Sequence, residues 1–293
     1  MKRINILLLI LSFSSSGLYA QNQMVPYGFA KNDSRYVVDT ALFAVHYTRT
    51  QAVISTATGE VESLVDTLTL AIGSSWSVFG NMAYDARFSS WAKGNIKKIK
   101  KATKMSNSEE VPLSSVLDKK AAGQDYSEGD FGEPVKVYKN RDRNTVLSCL
   151  YGTEQLICAQ PIEQFTNSWT ISDVTEDILG YQCVKASTNY SGRKWEAWFT
   201  MDIPVCDGPW KLQGLPGLIL KAKSLDGDFI FEMIGIENVT SSVITLNDNL
   251  EKVKPSYFNK IAQTVRSTRR GTFLYEGEMI FVTSIPYSFM DME

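Results

Sequence analysis

Leu218-Ile219-Leu220-Lys221-Ala222-Lys223-Ser224 and Phe229-Ile230-Phe231-Glu232-Met233-Ile234 are two short runs of β-formers joined across Asp226-Gly227. Asp-Gly between two apolar runs is a hairpin signal, because the pair accepts the positive φ angles of a tight turn. Working outward, Gly180 to Ala186 and Lys194 to Thr200 flank the turn-rich joint Asn189-Tyr190-Ser191-Gly192-Arg193 and read as a second hairpin. Val135 to Tyr138 alternates, and Trp169-Thr170-Ile171 opens a further strand. Asp66 to Gly73 alternates with period two and stops at its glycine, and Ser74 to Phe79 continues as a strand anchored by Trp76 and Phe79. Tyr36 to Ala52 is dense in β-formers and holds no Gly or Pro, which predicts one long strand or a strand pair.

One helix is expected near the end. Ser256 can cap it just after Pro255, and Phe258, Ile261 and Val265 make an apolar stripe for the sheet. Arg266, Arg269 and Arg270 then suit its C-terminal dipole. Phe273 to Tyr275 and Met279 to Val282 offer closing strands. The expected fold is α+β and mainly β: a large curved antiparallel sheet, similar to a half-barrel, with one or two helices packed on it.

Residues 1–20 carry Lys2 and Arg3, an apolar run from Ile4 to Phe13, then small residues ending at Ala20, the layout of a signal peptide cleaved near Ala20. That run is well short of the roughly 20 residues a spanning helix needs, so the reading is export rather than a membrane anchor, to the periplasm or cell envelope. Residues 21–293 are then expected to form a single β-rich domain with a polar, mobile excursion at about 92–133. This excursion holds Lys93, Lys97, Lys98, Lys100, Lys101 and Lys104, followed by Glu109, Glu110, Asp118, Asp125, Glu128 and Asp130, and two short helices are expected in it. Loss of the leader removes two basic residues and no acidic one, leaving a net charge near −4, which argues against nucleic acid as a partner.

Four cysteines in an exported chain read as two disulfides. Three connectivities are open. The favoured one pairs Cys149 with Cys158 across a hairpin turning near Gly152 to Glu154, and Cys183 with Cys206. Without C-x-x-C or a second histidine, no metal and no cofactor is expected.

Gly214-Leu215-Pro216-Gly217-Leu218-Ile219 has a logic of its own. Pro216 and Gly217 fit the two corners of a type II turn, the second of which takes positive φ, and the turn leads into a buried strand. Trp210 anchors the loop ahead of it. The hexapeptide is the signature of the GLPGLI family of exported Bacteroidetes proteins, and the chain resembles that family from Trp169 to Ile234. Gly180 to Ala186, Gly192-Arg193, Ala197 to Thr200, Ile203-Pro204 and Gly208 to Lys211 follow the family's order. The resemblance implies an envelope protein without an established biochemical activity. It also implies proximity to an outer-membrane receptor of the TonB-dependent type as a partner.

Catalytic signatures are sparse. The sole histidine, His46, lies in a β-rich stretch, and no G-x-S-x-G elbow, phosphate loop or dinucleotide fingerprint occurs. Asp202 and Asp207 are the carboxylate pair a hydrolase reading would use. Arg193, Trp198, Trp210 and Asp207 are the candidate ligand-binding residues. The first expectation is a non-enzymatic binding or carrier module for a hydrophobic or amphiphilic ligand. The alternatives are an interaction protein that docks on the receptor and a carboxylate-dependent hydrolase.

Overall fold

The computed structural model describes residues 35–54, 60–82, 133, 135–150, 156–162, 169–239, 242–268, 272–275, 279–282 and 285–286. The expected leader, the excursion other than Glu133, and the turn near Gly152 to Glu154 lie outside the described residues. Among those described, fourteen strands share one large curved sheet, and the α+β, mainly β reading holds.

Its axis is β1 (Arg35–Ile54), a single strand of 20 residues. β1 is flanked by β2 (Val61–Gly73) on one side and β11 (Phe229–Asn238) on the other, both antiparallel. From β2 the sheet continues through β3 (Trp76–Gly80), β4 (Val135–Asn140), β5 (Thr145–Leu150) and β6 (Leu156–Pro161), where the short β13 (Glu251–Lys252) adds in parallel. From β11 it continues through β10 (Leu218–Ser224), β9 (Arg193–Thr200), β8 (Tyr181–Tyr190) and β7 (Thr170–Ile178). The pairings of β1 shift register at Ala41/Phe43 and at His46/Tyr47, the kind of irregularity that bends a strand and raises its twist.

Period-two alternation then sorts the side chains between two faces. The inner face buries Val45 and Tyr47 of β1, Leu68, Leu70 and Ile72 of β2, Phe79, and Trp195, Ala197 and Phe199 of β9. Helix α1 (Pro255–Thr268) contributes Phe258 and Ala262 to this core, one helical turn apart. Its first bond runs from the Phe258 amide to the Lys254 carbonyl, so Lys254 takes the capping position expected of Ser256, and Pro255 opens the helix. The side chains of Val265 and of the expected arginines lie outside the described residues.

The outer face of β3 to β5 is covered differently. The first residues of β1 run past the end of β2 and pair with β12 (Val243–Asn247), forming a ribbon. The ribbon lays Ala41, Ile244, Leu246 and the following Leu250 against Val78, Tyr138 and Cys149, a second core. Tyr138 donates its hydroxyl to the Thr245 carbonyl at 3.1 Å across this layer. β16 (Ile285–Pro286) adds to the far end of β1, and β14 (Thr272–Tyr275) pairs with β15 (Met279–Val282) in a separate two-stranded sheet.

Two local expectations are corrected. The β5–β6 hairpin forms, but its register sets Cys149 opposite Ile157 and Ser148 opposite Cys158. Cys149 therefore faces the second core and Cys158 the main one, and no bridge can join them across the sheet. Cys183 is buried, Cys206 is exposed, and these two are not bridged either. Gly217 is not among the residues with positive φ, whereas Gly214 is, at +92°. What position 217 needs is room, because a Cβ there would stand 2.0 Å from the Thr200 carbonyl oxygen.

Candidate functional site

The loop of residues 201–217 connects β9 to β10 and folds back over the inner face. It buries Trp210, Leu212 and Leu215 almost completely. Trp210 holds φ at +52°, a left-handed conformation that costs a bulky residue about 1–2 kcal/mol. Burial outweighs this cost, since removing roughly 200 Å² of indole from water contributes about 5 kcal/mol. The ring centroid lies 5.3 Å from Tyr190 and 5.6 Å from Trp195. The aromatic run continues from Trp195 to Phe231 at 6.3 Å, to Phe79 at 5.9 Å and to Tyr47 at 6.1 Å. Along this line the inner face is filled by its own rings.

Asp207 clamps the loop. Lys139 of β4 donates to Asp207 Oδ1 at 2.6 Å and to the carbonyls of Gly208 and Leu212 at 2.8 and 3.2 Å. Ser77 donates to Asp207 Oδ2 at 2.5 Å, and the Gly208 amide donates to Oδ1 at 2.7 Å. Asp207 and Lys139 are each 1% exposed. Burial lowers the Lys139 pKa, against the pull of Asp207, which favours the charged form. Tyr47, which donates to the Ile219 carbonyl at 2.7 Å, is held well above the usual phenol range by burial and then by the Asp207 charge. Asp202 is exposed on the same loop, whereas both oxygens of Asp207 are committed to these donors.

Arg193 sits at the other end of β9, also on the inner face. It is sealed between Asp226 and Asp228, 2.9 Å from the latter, with its guanidinium 5.0 Å from the Phe229 ring centroid. Burial works against the Asp226 charge, but the Ser224 hydroxyl, the Asp228 amide and Arg193 outweigh it and hold the carboxyl below its ordinary range. Arg193 thus locks the β10–β11 turn, where Gly227 takes φ +82° and Asp226 keeps negative φ.

Trp198 points the opposite way. Register sets it directly between Lys185 of β8 and Lys221 of β10 on the outer face. Three ammonium groups surround its ring, Lys221 at 5.0 Å and Lys185 and Lys223 each at 5.5 Å from the centroid. The lysines are held in turn by carboxylates. Glu196 accepts from Lys185 at 2.6 Å and lies 3.3 Å from Lys223, and Glu176 accepts from Lys221 at 3.0 Å. The hydrogen bond from Lys185 is the main reason the Glu196 carboxyl lies below its usual range. The indole is 6% exposed, an apolar ring beneath three ammonium groups.

The same face holds His46. Its Nδ1 lies 3.0 Å from Thr69 Oγ1 and its Nε2 3.2 Å from Glu237 Oε1, a tie across β2, β1 and β11.

The four candidate residues are therefore divided. Asp207 and Trp210 share the inner loop, Arg193 closes a turn at the opposite end, and Trp198 alone lies beneath the outer surface. Lys185, Lys221, Lys223 and Glu196, which complete its surroundings, escaped the sequence reading. The alternation Lys221-Ala222-Lys223 against Glu196-Ala197-Trp198 carries the signal, but only register brings the two rows together.

Residues 188–221 match the model of a family described as a protein of unknown function, Porph_ging. The matched segment runs from β8 to β10 and contains the whole hexapeptide, Trp198 and Asp207. No curated protein matches the chain. Among solved structures, PNGF-II in a P21 crystal form is similar with a TM-score of 0.48 and 16% identity, over 78% of this chain and 34% of that one. A C2 form of PNGF-II gives a TM-score of 0.44 at 17% identity, over 76% of this chain and 33% of the other. The chain thus spans about a third of the length of these structures. Among the described residues no helix is long and apolar enough to cross a membrane. No cluster of three or more His, Cys, Asp or Glu side chains among them could hold a metal ion.

Proposed function

We propose that this is an exported envelope protein of the GLPGLI type that binds an amphiphilic ligand with an acidic head group, on the outer face at Trp198. The observation that carries the reading is the indole floor with three lysine ammoniums within 5.5 Å of its centroid. An acyl or other apolar chain can take the place of the lysine stems on the ring. Its carboxylate or phosphate can take the place of Glu196 between Lys185 and Lys223, an exchange of one charge-assisted pair for another. The resemblance at Gly214 to Ile219 and the leader-like residues 1–20 support export. The filled aromatic line on the inner face favours a surface site over an internal one.

The test is a fluorescence and calorimetric titration with laurate and with lysophosphatidylglycerol, each below its micellar concentration, beside zwitterionic lysophosphatidylcholine. Binding of the two acidic amphiphiles is expected to be at least about tenfold tighter, a difference of ~1.4 kcal/mol. It is expected to be lost in Trp198→Ala and in the double variant Lys185→Ala/Lys223→Ala. Equal affinity for all three, no binding, or binding that survives the double variant overturns the assignment.

A further inference from the structure

The β7–β8 hairpin turns through Leu179 and Gly180, with φ of +53° and +82°. The next hairpin, β8–β9, uses the same pair of angles at Ser191 and Gly192, +50° and +72°. Two consecutive positive φ values make the mirror-image turn that suits Asn-Gly, where a small polar first residue carries little strain. Leucine in that place is strained and gains no burial in return, because it is 59% exposed. Met201, which follows the last residue of β9 at the same end of the sheet, is 64% exposed. Half-buried Tyr181 and Ile203 flank these two. Around them the surface is acidic. The carboxylates of Glu176, Asp177 and Asp202 all bear on Cys183, whose thiol is pushed up to about 11 by burial first and then by these three.

At this turn a leucine does less for the fold than a small polar residue would. We infer that Leu179 and Met201 form a docking tip for a protein partner that offers an apolar socket bordered by lysine or arginine. The occupant is set by charge. The acidic rim repels an anionic lipid surface and a second copy of the same tip, and it complements a basic border. Glu176 of the rim pairs with Lys221 of the Trp198 site at 3.0 Å, but Leu179, Met201 and Asp202 take no part in that site, so substitutions at these three test the tip separately.

The decisive property is that the fold and the partner make opposite demands on position 179. Leu179→Asn relieves the turn, so the full chain is expected to melt about 2–4 °C higher. A fall in melting temperature would show that Leu179 serves the fold and would overturn the inference. The second arm places p-benzoylphenylalanine at position 201 in the native cell and irradiates it. The expected product is a protein adduct whose contact peptide carries apolar residues beside Lys or Arg. Its yield is expected to fall several-fold in Leu179→Asn and in Asp202→Lys. A lipid adduct, a self-adduct, no adduct, a contact peptide without basic residues, or a yield indifferent to both substitutions refutes it.

Discussion

Replacing Asp207 by Ala strips a sealed ammonium of its counter-ion. Lys139 Nζ keeps two carbonyls, Gly208 at 2.8 Å and Leu212 at 3.2 Å, but at 1% exposure it has lost its counter-charge, which a neutral water in the vacated space does not restore. Removing one partner of a buried ion pair costs about 3–5 kcal/mol, because the remaining charge stays desolvated. Ser77 loses its acceptor at the same time, and the Gly208 amide its capping oxygen. For a chain of this size the loss corresponds to a fall of roughly 6–20 °C in melting temperature. Lys139→Met in the Asp207→Ala background removes the stranded charge and is expected to recover about 2 kcal/mol. Recovery stays partial because Ser77 and the Gly208 and Leu212 backbone groups remain without these partners. Urea unfolding of the wild type, both single variants and the double variant gives the coupling directly, provided the slope with denaturant is unchanged. A cost under 1 kcal/mol for Asp207→Ala, or coupling near zero, would refute the claim that this pair clamps the signature loop to the sheet.

Other outcomes follow from the same geometry. Gly217→Ala drives a Cβ to 2.0 Å from the Thr200 carbonyl, and is expected to lower stability by about 2 kcal/mol or more in chemical denaturation, where an isolated strained-φ effect would cost about 1. Non-reducing peptide mapping is expected to find no Cys149–Cys158 peptide, since the two side chains occupy opposite faces; recovering that peptide contradicts the hairpin register. Alkylation of the folded protein near pH 8 is expected to modify exposed Cys206 and to spare Cys183, whose thiol titrates near 11 in a buried position. Glu196 has a folded pKa below its unfolded one, so its contribution is present above about pH 4.5 and is lost as pH falls through the folded value. Glu196→Gln is expected to flatten the acid side of the stability curve by about 0.5 kcal/mol, a surface-pair magnitude, and an unchanged acid limb would deny it.

Much of the sheet was legible because alternation and turn chemistry are local. The runs ending in Gly73, Tyr138, Ala186, Thr200, Ser224 and Ile234 each became part of a strand, and the joint at Ser191-Gly192 became a turn with both φ angles positive, whereas at Asp226-Gly227 the strands do turn but only Gly227 takes positive φ. Register was not legible. Cys149 and Cys158 lie in the expected hairpin, yet a shift of one residue from the imagined pairing turns them to opposite faces. The same limit hid the candidate site. Trp198 pairs naturally with Trp210 in the sequence, but strand parity turns Trp198 outward while the loop after β9 carries Trp210 over the inner face, and the lysines around Trp198 arrive from β8 and β10. The Pro216-Gly217 pair points to conformational need at position 217, whereas the cause is the Thr200 carbonyl at the end of β9, a contact that no local rule describes. Leu179 carried no signal in sequence, because a leucine before glycine is ordinary until its φ is known.

Diffraction from crystals grown with a brominated fatty acid locates the bound ligand through its anomalous signal. Bromine is expected over Trp198 on the outer face, with the carboxylate between Lys185 and Lys223. Bromine on the opposite face, among Trp195, Trp210 and Phe231, would contradict it.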